Sequence, residues 1–200
     1  MKKVLILTDF TPTCFWSVTY GLDFCRCYGF APEVLHVDTP HGSAHDEGSS
    51  LERSKVEHIL DLYRKKFGMS AALSIRSGAL DEEILKVIGS GGYALLVLCT
   101  HGKQGLQSVT GSAVEKIIHS LSIPIIVVQS KRFAPIKTVI LPVVVPSFNS
   151  SHLEMSAAIA RIIGPEIEIV CRSEHRQFCD SHLSEFGNAS TTVMERSDSG

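Results

Sequence analysis

The sequence lacks a surplus of charge of either sign. Its 200 residues include 19 Lys and Arg against 21 Asp and Glu, which gives a formal net charge of −2. An extended nucleic-acid footprint needs a basic surplus and a polyanion mimic needs an acidic one, so neither function is expected. No apolar run approaches the roughly 20 residues that span a bilayer, and the opening run, residues 4–7, is too short for a signal peptide. These absences predict a cytoplasmic globular protein that binds neither nucleic acid nor membrane.

Paired cysteine motifs are also missing. None of the six cysteines forms a CxxC pair, the usual mark of a redox dithiol or a zinc ribbon. Cys171, His175, Cys179 and His182 follow one another at spacings that would share one helical face, and such side chains can bind zinc. Polar residues and Gly surround them, so we expect a solvated tail and no metal site.

Short apolar runs alternate with longer helical windows over the first 130 residues. The strand-like runs lie at residues 4–8, 33–37, 71–76, 94–98 and 123–128, and the helical windows at 13–29, 51–67, 81–88 and 113–120. Such alternation predicts an α/β fold with a Rossmann-like, doubly wound parallel sheet. Its ligand site would lie beyond the carboxyl ends of the strands, where the strand order reverses.

Residues 135–200 contain a weak repeat of the opening segment. At an offset of 134 residues, Lys3 matches Lys137 and Ile6-Leu7 matches Ile140-Leu141. A helix over 149–163 and a strand over 166–171 would complete one β-α-β unit, and we expect no third strand after it, only a polar tail. We therefore predict a domain at 1–130 and a partial second repeat with a polar tail at 135–200; the alternative is chance similarity between two β-α-β units.

A glycine-containing loop follows the fourth predicted strand, from Cys99-Thr-His-Gly102 to Gly111-Ser112. Glycines let backbone amides approach a phosphate, and the start of the next helix supplies free N–H groups. The same residues also suit a plain connecting loop in which Ser112 caps the helix. The spacing leaves both interpretations open, and it is neither a Walker A loop nor a GxGxxG fingerprint.

Five segments, in order, resemble the universal stress protein family over residues 1 to about 130. They are the first strand ending in Asp9, the second strand around Val37-Asp, the turn Gly78-Ala-Leu80, the glycine loop and the run Ser122-Ile-Pro-Ile-Ile-Val-Val128. The resemblance implies the strand order 3-2-1-4-5. It further implies that the chain binds ATP or AMP, with or without Mg²⁺, with Asp9 at the adenosine and the backbone of Val37 at the base. The phosphates would be surrounded by Gly102, Gly111 and Ser112. Val143 occupies the position equivalent to Asp9 in the second repeat, so one nucleotide per chain is expected.

The resemblance implies a tandem stress-response protein with a degenerate or truncated second repeat, acting as a nucleotide-dependent switch or adaptor without dedicated catalysis. A homodimer or pseudo-dimer would form through the last strand of the first repeat, residues 123–130, or through the second repeat. Two departures favour an alternative, an interaction module of the same family without a nucleotide: Cys99 stands where the family pattern has glycine, and eight rather than nine residues separate Gly102 from Gly111. A third alternative is an adenylating enzyme of a related fold. Such an enzyme would need a glycine-containing phosphate loop after the first strand, and residues 8–13 contain no glycine.

Overall fold

The strands and helices alternate along the chain as the periodicity predicts. The computed structural model describes residues 1–39, 47–99, 113–129, 131–143, 150–164, 166–172, 175–181 and 191–195. The chain divides into two units, Met1–Phe133 and Ala134–Gly200.

The first unit contains a five-stranded sheet with helices in the connections. Its elements are β1 (Lys3–Leu7), α1 (Cys14–Tyr28), β2 (Ala31–Asp38), α2 (Glu47–Phe67), β3 (Ala72–Ser77), α3 (Leu80–Gly89), β4 (Tyr93–Cys99), α4 (Ala113–Ser120) and β5 (Ile125–Val128). All pairings are parallel and the order is β3-β2-β1-β4-β5, which confirms the predicted fold class and strand order. The order reverses between β1 and β4, so their carboxyl ends border the crevice where ligands of such folds bind.

The central strands are apolar because both faces of the sheet are covered. Val4, Leu5 and Ile6 of β1 are fully buried, and Leu96 of β4 packs with Leu5 in the core beneath α3 and α4. On the opposite face, α1 approaches β1 closely at Gly21. A Cβ built on Gly21 would lie 2.6 Å from Cδ1 of Ile6, so only glycine allows this distance between helix and strand.

A polar cluster around Glu33 of β2 joins the four strands β1, β2, β3 and β4. Glu33 Oε2 accepts hydrogen bonds from Tyr93 Oη at 2.8 Å and Lys3 Nζ at 3.2 Å, and Ser74 Oγ donates to Oε1 at 3.4 Å. Burial alone would raise the pKa of Glu33, but the hydrogen bonds from Tyr93 and Lys3 outweigh it and hold the pKa below its ordinary value. The ionised carboxylate of Glu33 therefore links β2 to β1, β3 and β4.

The second unit contains a smaller parallel sheet. Its described elements are β6 (Thr138–Val143), α5 (Ser150–Ile163), β7 (Glu166–Cys171), α6 (Arg176–Ser181) and β8 (Thr191–Glu195), and the sheet order is β6-β7-β8. The expectation of a polar tail with no third strand is wrong, because β8 pairs with β7 from Ile167↔Thr191 to Cys171↔Glu195. Within the described residues β8 has one neighbouring strand. An edge position of this kind tolerates a short, half-polar sequence that gives little periodic signal.

The described ranges contain no helix with both the length and the hydropathy needed to cross a membrane.

Candidate functional site

A cleft of about 680 Å³ opens at the carboxyl ends of β1 and β2. It is bordered by residues 7–11 after β1, by residues 35–39 at the end of β2, and by one face of α2. Small-molecule sites typically have volumes of about 300–1,000 Å³. The cleft therefore has the size and the position of a ligand site in a doubly wound fold.

The turn after β1 presents Asp9 at this cleft. Asp9 Oδ1 accepts hydrogen bonds from Thr11 N at 2.9 Å and Thr11 Oγ1 at 2.6 Å, and the backbone N–H of Phe10 donates to Thr8 Oγ1 at 3.1 Å. Phe10 adopts a left-handed φ of 64°, which non-glycine residues rarely do. The turn is thus fixed by side-chain hydrogen bonds, and it holds an exposed carboxylate at the position predicted for the adenosine end.

A histidine in β2 forms the inner wall of the cleft. The buried ring of His36 has Nδ1 2.8 Å from the Thr8 carbonyl oxygen and Nε2 2.9 Å from Asp38 Oδ1. Neutral imidazole carries one N–H, so it can donate to only one of these two oxygens. Both contacts are hydrogen bonds together only when the ring or the carboxyl group holds one more proton. The Phe10 ring packs on the imidazole with centroids 4.1 Å apart. Phe10 and His36 thus both line the cleft near Asp9.

Val37 occupies the position at which the resemblance expects backbone contacts with a base. The Thr8 N–H donates to the Leu35 carbonyl, and the Gly78 N–H donates to the Asp38 carbonyl, both at 3.0 Å. Along a strand, the backbone N–H and C=O groups of successive residues point alternately to the two neighbouring strands. The backbone groups of Leu35 and Val37 therefore face the side of β1, and those of Asp38 face β3. The paired register of β1 and β2 ends at Leu7↔Leu35. The backbone groups of Val37 therefore point toward the turn that contains Asp9.

The polar face of α2 was not among the site residues predicted from the sequence. Ser50, Arg53, Ser54 and Glu57 all line the cleft, and their spacing of three and four residues places them on one side of the helix. Arg53 Nε donates to Glu57 Oε1 at 2.9 Å, and both side chains are about half exposed. This periodicity was the signal that could have identified them.

Two cysteines meet beside this turn. Cys99 ends β4 and Cys14 begins α1, and the Cys99 thiol donates to the Thr13 carbonyl oxygen at 3.3 Å. A hydrogen bond from the Cys14 thiol to the sulfur of Cys99 lowers the pKa of Cys99. The same bond raises the pKa of Cys14, and burial and the charge of Asp9 raise it further. Of the two thiols, Cys99 is the one that ionises more readily.

Other predicted site residues fall in ranges that the structure does not describe. Gly102, Gly111 and Ser112 lie outside the described residues. Of the four Cys and His residues considered for zinc, His182 also lies outside them. Among the residues that the structure does describe, no group of three or more His, Cys, Asp and Glu side chains is arranged to hold a metal ion.

The sheet order, the cleft at its carboxyl edge and the polar turn after β1 define a doubly wound α/β protein with a small-molecule type of cleft. Residues 1–129 match the sequence model of the Universal stress protein family. The chain belongs to this family.

Two solved structures named for this family align with most of the chain's residues. A universal stress protein from Archaeoglobus fulgidus DSM 4304 aligns with a TM-score of 0.65 and 17% identity, over 98% of this chain and 77% of that chain. A protein from Pseudomonas aeruginosa UCBPP-PA14, named for the same family, aligns with a TM-score of 0.63 and 12% identity, over 98% and 75%. At these identities both show the fold alone.

A universal stress protein from Archaeoglobus fulgidus in complex with dAMP also matches, with a TM-score of 0.46 and 14% identity, over 64% of this chain and 97% of that chain. No match was found among curated proteins.

Proposed function

We propose that the chain binds one adenine nucleotide, ATP or AMP, in the cleft of its first unit, and acts in the cytoplasm as a nucleotide-dependent switch or adaptor in a stress response. The observation that carries the proposal is the convergence of the Asp9 turn and the backbone of Val37 on one cleft. A tandem arrangement with a degenerate second repeat completes the proposal, because Val143 there lacks the carboxylate of Asp9.

The groups in the cleft match the chemistry of a nucleoside. A carboxylate such as Asp9 accepts hydrogen bonds from ribose hydroxyls, and the backbone N–H and C=O of Val37 complement the hydrogen-bonding edge of adenine. The ring of Phe10 and the half-exposed Ile75 supply apolar surface for the base. On the sequence resemblance we assign the phosphates to Gly102, Gly111 and Ser112, with or without Mg²⁺.

The switch part of the proposal has an energetic requirement. A nucleotide changes the population of two conformations only by the difference between its affinities for them. The groups proposed to bind the phosphates belong to the connection between β4 and α4, whereas those proposed to bind the nucleoside belong to β1 and β2. A nucleotide that contacts both would favour the conformation in which both sets are in place, and a partner would recognise that conformation. We propose no dedicated catalytic apparatus; slow hydrolysis of ATP is compatible with this function.

The first experiment is mass spectrometry of the nucleotide released on denaturing freshly purified protein, followed by calorimetric titration with ATP and AMP. We expect about one nucleotide per chain. The absence of both co-purified nucleotide and binding heat would reject the proposal.

Variants then locate the site. Asp9→Ala removes a charge-assisted hydrogen bond worth about 1.5–3 kcal/mol, so we expect an affinity roughly 10- to 100-fold lower. Asp23→Ala is the matched control, since Asp23 pairs with Arg26 on the surface of α1 and does not line the cleft. Gly111→Val should abolish binding, because a branched side chain would block the approach of the phosphates. Unchanged affinity in Asp9→Ala would remove Asp9 from the site.

One observation favours a second function, an interaction module that binds no nucleotide. Cys99 replaces the glycine of the family pattern, and its thiol is hydrogen-bonded to the Thr13 carbonyl oxygen at the start of α1. A side chain at this position takes space that glycine would leave to a phosphate. Cys99→Gly distinguishes the two functions: the second function predicts that this variant gains ATP binding that the natural sequence lacks.

We further propose that the chain dimerises through β5. Val127 in this strand and Ile118 in α4 are each about half exposed, and β5 ends the sheet on one side. An uncovered apolar edge strand favours pairing with another strand. Light scattering coupled to size-exclusion chromatography should report a dimer, which Val127→Lys should convert to a monomer. The control Ile140→Lys, in the second unit, should leave the dimer intact. A monomeric natural chain would reject this assignment.

A further inference from the structure

We propose that Cys14 and Cys99 form a peroxide-reactive dithiol that oxidises to an intramolecular disulfide between α1 and β4. This oxidation site does not depend on nucleotide binding. It uses two thiols from separate elements that the strand order 3-2-1-4-5 brings together.

The fold places Cys99 beside the start of α1, where Cys14 lies. Cys14 is the first residue of α1 and Cys99 is the last residue of β4, and each thiol shifts the pKa of the other. The Thr13 carbonyl oxygen, one residue from Cys14, accepts the Cys99 thiol at 3.3 Å. Because β1 pairs with β4 and α1 follows β1, the fold itself sets this distance. A disulfide would therefore join residues that the fold already places side by side.

The two cysteines differ in the way that a nucleophile and its resolving partner differ. Cys99 is partly exposed, whereas Cys14 has 5% of its surface exposed. The hydrogen bond from Cys14 lowers the pKa of Cys99, and the thiolate is the reactive form of cysteine. Cys99 is therefore the residue that a small oxidant reaches and that reacts first.

The oxidant is a hydroperoxide such as H₂O₂. The Cys99 thiolate attacks one peroxide oxygen, the O–O bond breaks, and the leaving hydroxide takes up the thiol proton as water, which leaves a sulfenic acid on Cys99. The sulfur of Cys14 then attacks the sulfur of Cys99. The S–S bond forms, the S–O bond breaks, and the departing hydroxide leaves with the Cys14 proton as a second water. Two thiols lose two electrons and one peroxide gains them.

The second unit provides an internal control. Cys171 and Cys179 also lie together in one core cluster, but both are buried, with 3% and 2% of their surface exposed. Burial is the largest cause that raises the pKa of Cys179, to about 12. Proximity of two thiols is thus common to both pairs, and only the Cys14–Cys99 pair combines proximity with access and acidity. The proposal predicts that it oxidises first.

The experiment treats the reduced, full-length chain with H₂O₂, quenches the reaction at intervals, blocks the remaining thiols with N-ethylmaleimide and measures the intact mass. We expect the loss of two hydrogen atoms and two fewer alkylated cysteines. Trypsin should then release a disulfide-linked pair of peptides, residues 4–26 and 87–103. Fragmentation must place the bond on Cys14, since Cys25 lies in the same peptide. Oxidation of Cys171–Cys179 at an equal or higher rate would overturn the proposal.

Three variants assign the roles. In Cys14→Ser the sulfenic acid on Cys99 should persist and be trapped by dimedone, and in Cys99→Ser the oxidation of Cys14 should be lost. Cys27→Ser, which removes an exposed thiol of α1, should leave the disulfide and its rate unchanged. Undiminished oxidation of Cys14 in Cys99→Ser would overturn the assignment. If circular dichroism shows that either variant near α1 does not fold, the comparison of the two cysteine pairs in the natural chain decides the question.

Discussion

The contact between Gly21 of α1 and Ile6 of β1 allows a quantitative test of the packing that positions the candidate site. A Cβ on Gly21 would lie 2.6 Å from Cδ1, 2.7 Å from Cγ1 and 3.2 Å from Cγ2 of Ile6. Ile6 is fully buried, and its β-branched side chain has little rotational freedom. Because two of these distances are below 3 Å, we expect Gly21→Ala to introduce overpacking in the upper part of the usual range, at a cost of about 2–3 kcal/mol. The higher helix propensity of Ala offsets up to about 1 kcal/mol of this cost. The net loss in the free energy of unfolding is then about 1–2 kcal/mol.

Urea and thermal unfolding measure this loss. For a chain of this size we expect the Tm of the first unit to fall by roughly 2–8 °C. The matched control is Gly89→Ala in α3, where a Cβ meets nothing within 4 Å. That variant should be unchanged or gain up to about 1 kcal/mol from helix propensity.

A double-mutant cycle isolates the contact. Ile6→Ala removes the side-chain atoms that the new methyl group meets, at a cost of about 2–5 kcal/mol for the cavity. In this background Gly21→Ala should no longer destabilise the protein, so the two changes should couple by about 1–3 kcal/mol. The reasoning is refuted if Gly21→Ala has the same effect in both backgrounds, or no effect in the natural sequence.

Two further predictions concern polar contacts within the first unit. The buried Ser17 hydroxyl donates to the Cys14 carbonyl oxygen at 2.8 Å and lies 3.1 Å from the Leu7 carbonyl oxygen. Ser17→Ala should therefore lower the free energy of unfolding in urea by about 0.5–1.5 kcal/mol, and the control Ser54→Ala, at an exposed serine, should lower it less. Equal stability of the natural protein and Ser17→Ala would contradict this. Because the pKa of Glu33 is lower in the folded chain, its stabilisation is fully present above its ordinary value of 4.5 and is lost as the pH falls through the lower, folded value. The stability difference between the natural chain and Glu33→Gln should therefore shrink in acid, and a pH-independent difference would show that the ionised carboxylate is not responsible.

Periodicity predicts most of the fold because the first unit buries both faces of its sheet. Every predicted strand from residue 4 to residue 128 is present, although β2 begins at Ala31 and β5 at Ile125, two residues from the expected positions. The strand order came from the resemblance, since periodicity does not determine which strands are neighbours. The strand β8 was missed because an edge strand of five residues has too few apolar positions to set a period.

The candidate site was predictable only where local sequence determines it. The positions of Asp9 and Val37 at one cleft follow from strand ends and strand order. The contacts between Phe10 and His36 and between Cys14 and Cys99 join residues far apart in the chain, and side-chain packing across strands decides them. The phosphate assignments to Gly102, Gly111 and Ser112 remain predictions of the resemblance.

The small second sheet has a consequence for the cooperativity of unfolding. Its described core contains seven buried residues, and Ile140 of β6 is 62% exposed, whereas in the first unit the equivalent strand β1 has neighbours on both sides. A short unit whose described residues bury so little apolar surface is marginally stable by itself. We therefore expect two separate unfolding transitions, and amide hydrogens of β6 and β7 should exchange faster than those of β1 and β4. A single free energy of unfolding would then describe neither unit, because the chain would not unfold in one all-or-none step.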